Sequence, residues 1–287
     1  MNKEEIKKLY KDKIKKFRHN NLLYFEKSKP EISDEEFDNL KNEILRLEKD
    51  YKFLSHEFSP SKSVGFKPSK NFKKVNHKVP MLSLANAFDE GDLKNFEKKI
   101  MNFIDKKEGI ILEYSVEPKI DGISASLNYK EGKFVQGLSR GDGKEGEDIT
   151  PNLMTIIDIP KIINFEDFPR DIDIRGEVFI RNSDFERIKD KFANPRNAAS
   201  GSLRQKNSEY TKKIPLKFIA YNYGYEKGLD VSSQSEFLKK LKKWGFKTNP
   251  LNRILSGIEN LISNYDKIES KRDELDFDID GIVYKIN

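Results

Sequence analysis

Two short apolar runs with a lysine between them constrain this chain most. Ile110-Ile-Leu-Glu-Tyr-Ser-Val116 reads as a mostly buried strand, and Ile123-Ser-Ala-Ser-Leu-Asn-Tyr129 alternates with the period of a second strand. Between them stands Glu117-Pro118-Lys119-Ile120-Asp121-Gly122. This pattern demands a sheet and puts Lys119 on it, where a reacting nitrogen is held rigidly and can be aimed. A lysine amine attacks only when neutral, and burial or a neighbouring cation favours the neutral form. Lys119 is therefore a candidate covalent nucleophile. Its ordinary alternative is a strand-end lysine pointing into water.

The residues around this pattern set the organisation. Residues 1 to about 58 read as helical. Ser33-Asp34-Glu35-Glu36 forms a capping box, and Phe37, Leu40, Ile44, Leu47 and Tyr51 recur behind it at helical spacing. This segment is too small for a core of its own, so it docks elsewhere or works as a mobile cap. Residues 59–80, with Pro60, Gly65, Pro68 and Pro80, read as a linker or extended wrap, and the lysines from Lys67 to Lys78 as a solvated face. Residues 89–106 form an amphipathic helix through Leu93, Phe96, Ile100 and Phe103. Residues 123–129 and 133–139 flank Lys130-Glu131-Gly132 as a β-hairpin. Residues 171–180 and 216–223 read as strands, 235–244 as a short helix, and 277–286 as a last strand broken at Asp280-Gly281. Strands and helices without strict alternation make the fold α+β with largely antiparallel sheets.

Composition removes several kinds of chemistry. The chain has no cysteine, so thiolate catalysis, disulfides and Cys-ligated zinc are excluded. The three histidines, His19, His56 and His77, lack metal-ligand spacing. No apolar run approaches membrane-spanning length and the N-terminus lacks a signal-peptide core, so the expected compartment is the cytoplasm. A net charge of +6 permits a nucleic-acid partner without demanding one. Gly141-Asp-Gly-Lys-Glu-Gly146 has the G-x-G-x-x-G spacing of dinucleotide-binding folds, but no βαβ unit surrounds it, and it reads as a glycine-rich loop.

Lys119-Ile-Asp-Gly122 does not stand alone. Arg140-Gly141-Asp142-Gly143 follows, then Arg175-Gly176-Glu177-Val178, then Asn194-Pro-Arg-Asn-Ala-Ala-Ser-Gly-Ser-Leu-Arg-Gln205, and finally Asp280-Gly-Ile-Val-Tyr-Lys285. In this order the chain resembles the N-terminal part of bacterial-type NAD-dependent DNA ligases. K-x-D-G and D-G-[IV]-V-x-K are shared by covalent nucleotidyltransferases generally. The runs 139–150 and 192–205, with Pro80-Met-Leu-Ser-Leu-Ala-Asn-Ala-Phe88 and Ile32-Ser-Asp-Glu-Glu-Phe-Asp38, resemble the NAD-dependent branch, and the resemblance covers essentially the whole chain.

That resemblance implies a nucleotidyltransferase core, ATP-grasp-like and ligase-type, over residues 66–287, preceded by a helical cap for the nicotinamide mononucleotide (NMN) half of NAD over residues 1–65. It implies that Lys119 attacks the α-phosphorus of NAD, releases NMN and keeps AMP, the first step of sealing nicks in duplex DNA during replication and repair. Asp121 would orient Lys119 or help bind Mg2+, with no metal ligand set defined. Glu117, Glu177, Tyr221, Ser83, Leu84, Arg140 and Lys285 would hold the adenosine and phosphate. Tyr24, Asp34 and Asp38 would hold NMN, whose cationic ring suits anionic side chains. Arg196, Arg204 and Arg272 would face phosphate or nucleic acid, and Asp280 shares the final motif with Lys285. Phe25 stands where the family usually has histidine and Phe37 where it usually has tyrosine, so NMN capture departs from the pattern there. The later family modules are missing before Asn287, so the chain reads as an adenylation fragment, monomeric, with negligible nick sealing of its own. Two alternatives stand beside this reading: an ATP- or GTP-using relative, and a catalytically silent nucleotide-binding module.

Overall fold

A computed structural model describes residues 2–25, 31–32, 34–62, 72–104 and 111–287, apart from the side chains of residues 24, 25, 34 and 35. The capping box at Ser33, the side chain of Phe25 and residues 63–71 lie outside what is described. In chain order the elements are α1 (Lys3–Phe25), α2 (Asp34–Asp50), β1 (Lys74–Asn76), α3 (Glu90–Phe103), β2 (Glu113–Ile120), β3 (Ile123–Lys130), β4 (Lys133–Ser139) and β5 (Glu145–Glu147). They continue with α4 (Thr150–Leu153), β6 (Asp171–Phe179), α5 (Asn182–Phe185), α6 (Pro195–Leu203), α7 (Ser208–Lys212), β7 (Lys217–Lys227), α8 (Gln234–Lys243), β8 (Arg253–Ser256), α9 (Ile258–Glu269) and β9 (Ile279–Ile286).

The chain divides into two compact units, Met1–Leu82 with Leu138–Asp148, and Ser83–Gly137 with Ile149–Asn287. In the first unit, Ile6, Tyr10, Ile14 and Phe17 repeat at three- and four-residue spacing along α1 and pack on Leu40, Ile44 and Leu54. Phe37 stacks on Phe17 with ring centroids 5.2 Å apart. Residues 59–80 are more than a linker, because β1 lies within them. It pairs antiparallel with β5, Val75 opposite Gly146. A three-residue strand leaves too little periodicity to read from sequence.

The second unit holds two antiparallel sheets among the described residues, β8-β2-β9 and β4-β3-β6-β7. The two strands that flank Lys119 therefore belong to different sheets, and Asp121-Gly122 is the junction between them. A Cβ on Gly122 would lie 2.4 Å from the carbonyl oxygen of Val178 on β6, so only glycine lets the chain pass that close. The β3–β4 hairpin turns at Glu131 and Gly132 with φ of 46° and 70°, the left-handed pair of a type I′ turn.

Strand alternation decides which face becomes core. Leu127 and Tyr129 of β3 and Ile172 and Ile174 of β6 are fully buried, and the Tyr129 ring meets Phe168 and Phe246 edge-on at 5.6 and 5.7 Å. Tyr114 and Val116 of β2 pack with Leu112 and Leu261 in a second cluster. The opposite parity is polar on both sheets: Ser115, Glu117 and Lys119 on β2, Ser124 on β3, Arg175 and Glu177 on β6. The last strand is not broken at Asp280-Gly281. It runs through, with Lys119 opposite Gly281 and Ile120 opposite Ile279, so Asp280 is the extra residue of a β-bulge.

Candidate active site

Lys119 lies near the end of β2 and is half exposed, with 46% of its side chain accessible, so a substrate atom can reach Nζ. The Nζ contacts the carboxylate of Asp280. The bulge explains this pairing, since an extra residue on β9 re-aims its side chain toward the strand opposite. Asp121 is anchored through its backbone N–H to the Asp278 carbonyl at 2.9 Å, and its carboxylate contacts the guanidinium of Arg196. Arg196 is placed by the first turn of α6, where Asn194 caps the helix by accepting from the Asn197 N–H. Asp121 thus has a cation of its own in Arg196, while Asp280 pairs with Lys119 itself.

A second cluster forms around Glu117, whose side chain is buried. Its Oε1 accepts from Ser115 Oγ and from Gln234 Nε2, both at 2.9 Å, and its Oε2 accepts from Lys285 Nζ at 2.9 Å. Lys285 also donates to the Tyr221 carbonyl at 3.0 Å, and its Nζ lies 5.4 Å from the centre of the Tyr221 ring. Burial lowers the Lys285 pKa from the usual lysine value, and Glu117 opposes that shift. Tyr221 is itself a bulge residue. Arg175 and Gly176 of β6 face Asn222 and Ala220 of β7, so Tyr221 is the extra residue between them, its carbonyl turned to Gln234 and Lys285.

Glu177 faces Ser124 across the β3–β6 pair, and Ser124 Oγ donates to it at 2.9 Å. Burial pushes the Glu177 carboxyl up to about 7, while Arg196, the Ser124 hydrogen bond and Lys119 pull the other way. A group so poised sits between hydrogen-bond donor and acceptor at neutral pH.

Of the residues singled out from sequence, Lys119, Asp121, Glu117, Glu177, Tyr221, Lys285, Arg196, Arg204, Ser83 and Leu84 all belong to the second unit. Ser83 and Leu84 are exposed, Arg204 caps the end of α6, and Arg272 is exposed. Arg140, Tyr24, Asp34 and Asp38 belong to the first unit. There His77 Nε2 donates to the Arg140 carbonyl at 3.1 Å, and Asp142 holds the glycine-rich loop by accepting from the N–H groups of Lys144 and Glu145. Tyr24 and Asp34 lie on α1 and α2 with side chains outside those described, and Asp38 is half-buried. Sequence reading missed Gln234, Ser115 and Ser124. The two serines carried a usable signal, because Ser115 has the same strand parity as Glu117 and Lys119. Gln234 carried none.

Among the described residues no group of three or more His, Asp or Glu side chains is placed to hold a metal. None of the described helices is long and apolar enough to cross a membrane.

A family model described as the NAD-dependent DNA ligase adenylation domain matches residues 69–287, and one described as the DNA ligase-like, N-terminal NAD+-binding domain matches residues 3–65. The chain is 64% identical to a DNA ligase of Pelagibacter ubique (strain HTCC1062) over 287 residues, covering all of this chain and 42% of that protein. It is 46% identical to one from Parvibaculum lavamentivorans over 273 residues, covering 92% of this chain and 38% of the relative. For Rickettsia canadensis the figures are 43% over 295 residues, 100% and 42%. The chain thus spans about two-fifths of the length of these relatives.

Proposed function

The chain belongs to the NAD-dependent DNA ligase adenylation-domain family, and on that premise we propose that Lys119 is the residue that takes AMP from NAD. Its amine attacks the α-phosphorus. A P–N bond forms, the P–O bond to the NMN phosphate breaks, NMN leaves with the electron pair, and the amine loses a proton. Asp280, in contact with Nζ, is placed to receive that proton. The observation that carries this reading is the joining of two sheets just after Lys119: one strand supplies the nucleophile, and its sheet supplies Glu117 and Lys285, of which Lys285 reaches the Tyr221 carbonyl of the other sheet.

Phosphoryl transfer needs positioning and charge stabilisation more than covalent assistance. Glu117, Tyr221 and Lys285, with Ser83 and Leu84, hold the adenine. Glu177 accepts from the ribose hydroxyls. The phosphates are assigned to Arg140, and NMN to Tyr24, Asp34 and Asp38. Arg196 and Arg204 face phosphate or nucleic acid. In domain terms, residues 1–65 act as the NMN cap and 66–287 as the adenylation domain, working as a monomer in the cytoplasm. Asp121 is already paired with Arg196 and Asp280 is engaged by Lys119, so the residues present do not build a resident metal cage. Mg2+ fits here as an ion carried on the phosphates of NAD, which suits its habit of keeping few protein ligands. Formation of lysine-bound AMP is the first step of sealing nicks in duplex DNA, and the relatives are named as DNA ligases.

The test is release of NMN, followed by chromatography, from the chain with NAD and Mg2+, beside ATP and a Lys119→Ala control. About one equivalent of NMN per chain, absent from the Lys119→Ala protein, with no reaction from ATP, is the expected result. Reaction with ATP instead, or NMN release that survives Lys119→Ala, refutes the reading.

A further inference from the structure

Gln234 belongs to none of the sequence motifs, yet it touches two of the groups assigned to the adenine. It opens α8, where Ser233 caps the helix by accepting from the Glu236 N–H at 3.2 Å. Its Nε2 donates to Glu117 Oε1 at 2.9 Å and to the Tyr221 carbonyl oxygen at 2.9 Å. Lys285 makes the same two bridges through Glu117 Oε2 and the Tyr221 carbonyl. A neutral donor and a charged donor therefore clamp one carboxylate to one backbone carbonyl. The amide orientation is forced, because turned over it would aim its own oxygen at two acceptors.

This arrangement leaves few groups for a base to meet. An amide nitrogen has two hydrogens, and both are engaged. The carboxylate has about four acceptor positions, and Ser115, Gln234 and Lys285 occupy three. Adenine presents an exocyclic amino donor where hypoxanthine and guanine present a carbonyl acceptor. The open acceptor position on Glu117 suits the former and repels the latter; Gln234 has no spare donor to offer a 6-oxo purine, and the third N–H of Lys285 is the one donor left among these groups.

We propose that Gln234 is a positioning residue that sets purine choice, by tying the Glu117 carboxylate to the Tyr221 carbonyl so that the one open acceptor position of Glu117 is held in place for the base; this rests on the adenylation reading given above. Without its Nε2 the carboxylate keeps Ser115 and Lys285 but can rotate, and its open acceptor position is no longer fixed. A buried acceptor built to receive an N–H discriminates strongly against a ligand that lacks it, provided that acceptor stays in place.

The experiment compares NAD with nicotinamide hypoxanthine dinucleotide on the full chain, in the wild type, Gln234→Met and Gln234→Asn. Intact mass follows nucleotide addition to Lys119 at subsaturating dinucleotide, and a thermal melt checks folding. The wild type prefers NAD. Gln234→Met lowers the NAD-to-hypoxanthine rate ratio roughly tenfold or more, the scale of a hydrogen bond to a charged group. Gln234→Asn keeps the amide on an arm one carbon shorter and lowers the ratio by less. A purely structural residue would slow both dinucleotides by one factor and leave the ratio alone. A wild-type ratio in either folded variant, or a wild type that takes both dinucleotides equally, overturns the proposal. A wild type that gains no AMP from NAD overturns the adenylation reading itself, and the inference with it.

Discussion

Replacing Gly122 by alanine tests the junction on which Lys119 depends. A Cβ there lies 2.4 Å from the Val178 carbonyl oxygen, 2.9 Å from Glu177 Cγ and 3.2 Å from Phe179 Cβ. Close carbon–oxygen contacts settle near ~3.3 Å, so β6 would have to retreat by about 0.9 Å. The nearest atom is backbone in a paired strand, and no rotamer change relieves it. Overpacking of this kind costs about 1–3 kcal/mol, and the rigid partner puts Gly122→Ala at the upper end. For a unit of this size each kcal/mol moves the melting temperature by about 2–4 °C, so a fall of roughly 5–10 °C is expected. Gly201→Ala is the matched control. Gly201 lies inside α6, and its Cβ would meet only Phe192 Cε1 at 3.7 Å. That change should stabilise by about 0.5–1 kcal/mol, the helix-interior difference between glycine and alanine. Calorimetric melts of both variants, with the rate of AMP addition as a second readout, provide the assay. A Gly122→Ala melt equal to the wild type, or a Gly201→Ala melt below that of Gly122→Ala, would refute the packing argument.

Glu177 sets a pH dependence. Its folded pKa is raised to about 7 by burial, so the folded state binds the proton more tightly than the unfolded state does. That contribution is complete below about pH 4.5 and is lost as pH rises through about 7. Melts across this range should therefore show the difference between wild type and Glu177→Gln narrowing or widening by the equivalent of one carboxyl, roughly 3 kcal/mol, with the wild type losing stability toward high pH relative to the variant. A constant difference from pH 4.5 to 8 would contradict it. Lys285→Met leaves the buried Glu117 carboxylate with only Ser115 and Gln234. Breaking one side of a buried pair costs about 3–5 kcal/mol, so a large fall in denaturant midpoint is expected. Adding Glu117→Gln to Lys285→Met should recover part of it, and a double variant less stable than Lys285→Met would count against the ion pair.

The sequence made some of this site legible and left the rest to pairing. Strand parity around Lys119 was readable because Tyr114, Val116, Leu127 and Tyr129 alternate with polar residues. The separation of β2 and β3 into different sheets was not, because β9 and β8, the partners of β2, and β6, the second partner of β3, all lie far along the chain. Asp280-Gly281 looks like a turn by residue type, and its role as a bulge emerges only from the register with Lys119 and Ile120. The same holds for Tyr221 on β7. Helix α6 is built from Ala198, Ala199, Ser200, Gly201 and Ser202, which are small and weakly periodic, so its residues read as a motif before they read as a helix. Gln234 has the least signal of all. A polar residue at a helix start is usually a surface residue, and only the distance to Glu117 separates it from the rest.

The most direct measurement is peptide mapping of the protein after incubation with NAD and Mg2+. The account predicts one AMP per chain, carried on the peptide containing Lys119, with none on a Lys119→Arg protein that melts like the wild type. An AMP found on another lysine, or the same adduct persisting in the Lys119→Arg protein, would contradict the assignment of Lys119 as the nucleophile.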